Sequence, residues 1–201
     1  VSANTKQQLL DSAEGLFAER GFYGVSIAAI AAAEGLTKQA LLHHFGSKEK
    51  LYGEVLARIS DRFDALAKEA VSLDADPVQR LKHYLLKIQQ NPRVQPNQTT
   101  LLLREILDNK QRIDSAGTWY LGPFLNGLTD MVMAVPGWER ASSAQALALV
   151  YQLLGAINYF NISGATLKAI VGAETYAELN QAFQPQLEQL ITAGLATPPQ
   201  T

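Results

Sequence analysis

Cysteine is absent from this chain, which excludes disulfides, thiolate zinc sites and cysteine nucleophiles, and fits a reducing cytosol. Histidine occurs only at His43, His44 and His83, too few for a histidine-rich metal site, so neither a metal nor a cofactor is expected. No glycine-rich phosphate loop is present. The one mid-chain polar set, His83, Tyr84, Arg104 and Glu105, has no recognised catalytic spacing, so an enzyme is not expected. Charge is also scarce: 18% of the 201 residues are charged and the net charge is −2, against the basic balance usual for nucleic-acid binding. Residues 1–53 hold five bases and five acids, leaving twelve and fourteen to the remainder, so the N-terminal part is the less acidic.

Residues 141–167 contain no charge at all, a length that has to be weighed against a membrane span. Gln145, Gln152, Asn158 and Asn161 interrupt the run, and no Lys or Arg cluster flanks it, so a helix buried within a soluble protein is the expectation. The polar start VSANTKQQLL lacks a secretory signal. A cytoplasmic protein without a membrane partner is therefore expected.

What the chain does have is apolar content, 47% hydrophobic residues, arranged almost throughout at helical spacing. Leu9, Leu10, Ala13, Leu16 and Phe17 form a first stripe that Gly21 stops, and a long helix opening at Ser47 keeps the spacing to about Val71. Asp76-Pro77 is a cap followed by proline at the first helical position. Further helices are expected over Thr99–Asp108, residues 118–134 with Pro123 as a kink or late start, from Ser142 or Ser143 to about Ile162, and Glu174–Ala193. No convincing strand is found, and the fold class is all-α with about nine helices.

The densest signal lies in SIAAIAAAEGLTKQALLHHFGSKEK, residues 26–50. Ser26 caps a short helix whose inner face is Ile27, Ile30 and Ala31, and Gly35 can take the left-handed conformation that ends it. Thr37 caps a second helix with Leu41 and Phe45 facing inward; Gly46 closes it and Ser47 caps a third. Two short capped helices around a glycine turn are a helix-turn-helix, which points to DNA.

With its flanks, this segment resembles the tetracycline-repressor (TetR) family of bacterial transcription regulators. The resemblance is carried by LFAERGF, AAIAAAEGL and LTKQALLHHFGSKEKL, in order within Leu9–Tyr52. It implies a three-helix DNA-binding domain at residues 1–52 and a helical effector-binding and dimerisation domain at 53–201. The implied protein is a ligand-responsive regulator, a repressor released from a palindromic operator by a small apolar or aromatic effector. Two departures stand out: the family usually has an aromatic that touches phosphate where this chain has Leu42, and often a small residue in place of Gln39. A helical adaptor or dimerisation protein without specific DNA binding is the alternative.

On the second helix, Lys38, Gln39, Ala40, Leu42 and His43 are the candidates for base reading. Gln39 suits adenine and Lys38 guanine, while Ala40 or Leu42 suits a thymine methyl. Ser26, Thr37 and Lys48 are the candidates for phosphate contacts, and His44 is expected to be structural. The resemblance further implies an effector pocket, for which Arg104, Trp119, Tyr120, Phe124, Met131, Gln152, Asn158 and Tyr159 are candidates. A homodimer needs a self-complementary apolar surface, and Leu147, Tyr151, Leu154, Leu179, Phe183 and Leu187 are its candidates.

Overall fold

In a computed structural model that describes residues 3–73, 75–90, 96–108 and 122–199, those residues form nine helices and no strand. They are α1 (Ala3–Arg20), α2 (Ile27–Ala33), α3 (Lys38–Phe45), α4 (Lys48–Leu73), α5 (Pro77–Gln90), α6 (Pro96–Asp108), α7 (Gly122–Met133), α8 (Ser143–Val171) and α9 (Ala173–Ala196). Pro123 stands in the first turn of α7 and is no kink, because a proline nitrogen there forfeits no helical hydrogen bond. The uncharged helix runs on to Val171, nine residues beyond Ile162 and past Lys168.

The described helices group into two compact units. The first holds α1, α2, α3, α4 through Arg62, and α6. Its core is Leu9, Phe17, Ile30, Leu41, Leu51 and Leu101, all fully buried. Packing therefore does not divide at residue 52. The physical reason is a buried carboxylate. Glu14 of α1 is 7% exposed and accepts from Arg58, from Arg62 Nη1 (3.1 Å) and from Gln98 Nε2 of α6 (3.1 Å). A charge so buried has to be paired and hydrogen-bonded, and its partners lie at 58, 62 and 98. Two more bonds fasten α6 to the same unit: Tyr52 Oη donates to Glu105 Oε2 (2.5 Å), and Arg104 Nη2 to the Glu19 carbonyl (2.9 Å).

The second unit holds α4 from Phe63, α5, α7, α8 and α9. Phe124 of α7 stacks on Phe63 at 4.4 Å, and Tyr84 of α5, 2% exposed, donates its hydroxyl to the Phe63 carbonyl (3.2 Å). Burial raises the Tyr84 pKa above the tyrosine range, and the Asp64 carboxylate pushes the same way. Trp138 is buried after the Pro136-Gly137 turn and donates Nε1–H to the Leu195 carbonyl of α9 (2.9 Å). α8 opens with a full capping box between Ser142 and Gln145. It buries Ala146, Leu149, Val150, Leu153, Leu154, Ile157 and Phe160 along one side. The opposite side is also apolar yet exposed, so α8 is not the wholly buried helix that its composition suggests. It is the one helix among the described residues long and apolar enough to cross a membrane, and only 33% of its most apolar stretch is buried.

Candidate nucleic-acid interface

The first unit builds the interface from local rules. Ser26 Oγ accepts from the Ala29 amide (3.1 Å), Thr37 Oγ1 from Ala40 (3.2 Å) and Ser47 Oγ from Lys50 (3.2 Å), so each of the three expected caps is made. Such a cap stabilises a helix by about 1 kcal/mol, a large share for helices of seven and eight residues. Between α2 and α3, Gly35 sits at φ 66°, open to glycine at no steric cost. The amides of Gly35 and Leu36 then bond back to the Ala32 carbonyl (3.1 Å) and the Ala31 carbonyl (2.8 Å), the Schellman pattern. Glu34, just before this turn, is fastened to α1 by the Ser12 hydroxyl.

This turn presses α3 onto the unit through Leu41 and Phe45 and leaves the other side outward. Lys38, Gln39 and His43 are exposed, and Ala40 and Leu42 are half-buried at the margins. Gln39 and His43, four residues apart, share the side turned away from Leu41 and Phe45. His44 is half-buried and tilts its ring against Phe45 (6.1 Å).

Lys48, in the first turn of α4, lies with Nζ 4.3 Å above the Phe22 ring, a cation–π contact that holds the ammonium beside the turn before α2. Partial burial lowers its pKa from the ordinary lysine value, and the Glu49 carboxylate opposes the shift. A phosphate at this ammonium would favour the charged form further. The arrangement thus offers hydroxyls at two helix starts, one desolvated ammonium, and a polar face of four residues' pitch. That is a set for phosphate positioning and base-edge contact.

Among the described residues, the second group of candidates divides between core and surface positions. Arg104, on α6 of the first unit, donates Nη2 to the Glu19 carbonyl at the end of α1. Trp119 and Tyr120 lie outside the described residues. Phe124 is a core residue stacked on Phe63, and Tyr159, 69% exposed, faces away from the core with Gln152 also exposed. Met131 and Asn158 remain half-buried in the second unit. Of the dimer candidates, Leu187 (2% exposed) and Leu154 (9%) are core of this chain, since their helical positions turn them inward. Phe183 stacks on Phe160 at 3.7 Å between α9 and α8; Leu147 and Leu179 are half-buried, and Tyr151 is 55% exposed. Composition and spacing missed Glu14, Arg58, Arg62 and Gln98, whose pairing has no local signature. Among the described residues no group of His, Asp and Glu is placed to hold a metal ion.

Comparison with known proteins adds three findings. Residues 9–55 match the family described as bacterial regulatory proteins, tetR family. The chain is 26% identical over 200 residues to the HTH-type transcriptional regulator RutR of Escherichia coli O157:H7, covering 97% of this chain and 92% of that one. It is 36% identical over 75 residues to the HTH-type transcriptional repressor KstR2 of Mycobacterium tuberculosis, covering 37% and 38%. In fold it is similar to the solved structure of the fatty acid degradation regulator FadR from Bacillus halodurans, at TM-score 0.70 and 14% identity over 94% of this chain and 96% of that one.

Proposed function

The chain belongs to the tetR family of bacterial regulatory proteins, and from that premise we propose that it works as a homodimer on a palindromic operator, released by a small apolar or aromatic effector. As a DNA-binding transcriptional regulator it is not an enzyme, and proteins of this family are soluble and cytoplasmic. The observation that carries the reading is the outward face of α3, Lys38, Gln39 and His43, seated on a capped and hydrogen-bonded glycine turn.

Gln39 and Lys38 would read adenine and guanine edges, with Ala40 or Leu42 against a thymine methyl. His43 would meet a base edge or a phosphate. Ser26, Thr37 and Lys48 would hold the backbone. Functionally, residues 1–52 are the DNA-reading part and 53–201 the effector and dimerisation part; α4 belongs to both packed units, and α6 is bonded to α1 and α4. Effector binding would shift the population between two settings of α4 and so change the spacing of the two DNA-binding heads. Met131 and Asn158 would line the pocket. The dimer surface would be the exposed apolar stripe of α8, Tyr151, Tyr159 and Ile162, with Leu190 of α9, all more than 40% exposed. Apolar residues in a row on a helix whose one charge, Lys168, lies beyond them favour a second copy of the same face.

The test is DNA binding as a function of salt. Several phosphate contacts predict a steep linear fall of log affinity with log salt. A Lys48→Gln variant should weaken all sequences alike, and Gln39→Ala should change which sequence is preferred. No binding to any duplex would favour the adaptor reading, which the Leu42 departure and the net charge of −2 suggest.

A further inference from the structure

Two glycines in α8 and α9 mark where these helices close on each other. A Cβ at Gly164 would meet the Tyr176 hydroxyl oxygen at 2.6 Å, and one at Gly194 would meet Leu149 Cδ1 at 2.8 Å. Gly155, in the middle of α8, is different: beyond its own turn, no described atom lies within 4 Å of where its Cβ would stand. Glycine inside a helix costs about 1 kcal/mol relative to alanine, and no packing among the described residues accounts for it here. Gly15 and Gly127 are open as well, but Asp11 and Glu19 stand one turn to either side of the first, and Pro123 and Met131 of the second. One turn to either side of Gly155 stand Tyr151 and Tyr159, 55% and 69% exposed. Gly155 is therefore a notch between two exposed rings, on a stretch of helix that carries no charge.

We infer that Gly155 is the hole of the homodimer face and that the partner's Tyr159 fills it, while Tyr159 of this chain fills the partner's notch; the inference rests on the homodimer reading above. An uncharged face gives a charged partner nothing to pair with, whereas a second copy brings a ring for the notch and a notch for the ring, as a two-fold contact requires. The run of exposed residues also sets the register. In the uncharged part of α8 the large exposed apolar residues extend from Tyr151 to Ile162. A two-fold axis across the middle of that run, near the level of Ile157, sets two antiparallel copies with position 155 opposite 159 and 152 opposite 162. With no side chain at 155, a tyrosine ring can lie directly on the helix backbone, and each copy then buries apolar area that it leaves in water when alone.

The experiment measures the dimer dissociation constant by sedimentation for the full chain as wild type, Gly155→Tyr, Tyr159→Gly and the variant carrying both changes, with helix content followed by circular dichroism. Each single change should raise the constant about a hundred-fold, the worth of a central interface contact, and leave the helix content unchanged because both positions face solvent in the single chain. The double variant exchanges ring and notch, so position 155 of one copy again fits position 159 of the other. It should return to within about ten-fold of wild type, a coupling that two independent losses would not show. Single variants that dimerise like wild type, or a double variant weaker than either single one, overturn the notch and leave the dimer standing. A wild type that stays monomeric, or that instead lays this face on phosphatidylcholine vesicles, overturns the homodimer reading and the notch with it.

Discussion

α3 and α8 carry the two halves of the proposed function, and they are built in opposite ways. α3 has eight residues, a threonine cap, a glycine stop, one buried side and one polar side. α8 has twenty-nine residues, a capping box, and apolar residues on both its buried and its exposed sides. A helix as short as α3 is marginal alone, so its caps and two core contacts must supply its stability and at the same time set its direction. A helix as long as α8 stands by its length and one packed stripe. Its second stripe is then free to carry apolar residues that only a partner would cover. Local signals are dense where the structure is weakest, and an exposed apolar face is legible only once burial is known.

The comparison breaks first at the core of α3. Leu41→Ala should cost about 2–5 kcal/mol in chemical denaturation, because it empties a fully buried position that holds the recognition helix in place. A loss below 1 kcal/mol would mean that α3 does not depend on this contact. On α8, Ile162→Asp puts a charge into the proposed interface from a residue 42% exposed. Sedimentation should show a monomer, and operator affinity should drop about a hundred-fold as the two half-sites are uncoupled, while the monomer's own fold persists. An unchanged dimer would move the interface elsewhere. Thr37→Ala should destabilise by about 1 kcal/mol and Thr37→Ser by much less, since the cap bond to Ala40 needs only a hydroxyl.

The smallest effect is in alkali. Tyr84 keeps its proton in the fold beyond the pH, about 10, at which an unfolded tyrosine gives it up. The folded state then binds more protons than the unfolded one, so stability should fall as pH rises above about 10. Tyr84→Phe should remove that share of the slope, readable in denaturation midpoints at pH 9 to 11.

The helix-turn-helix was legible because every decisive bond there joins residues three to five apart: Ser26 to Ala29, Thr37 to Ala40, Leu36 to Ala31. The cap of α8 was legible only as Ser142 or Ser143, and the bond from the Gln145 amide to Ser142 Oγ selects Ser142. Glu14 and Gln98 are 84 residues apart, and no spacing announces such a pair, so the inclusion of α6 in the first unit was not legible. Tyr159 and Leu187 show a second limit. Both fall in apolar stripes, but Tyr159 is exposed and Leu187 buried, and periodicity finds a stripe without saying what covers it. Arg104 shows a third, since a lone arginine fits a pocket or a helix-end carbonyl equally well until the partner is seen.

The outward face of α3, presented twice by a dimer, is proposed to read DNA. Selection of bound duplexes from a random pool, run in parallel with wild type and Gln39→Ala, tests it most directly. Wild type should recover an inverted repeat with half-sites one helical turn, about 34 Å, apart or a multiple of it. Gln39→Ala should recover the same spacing with one base relaxed in each half-site. A pool left unenriched by the wild type, or an identical half-site from both proteins, would contradict it.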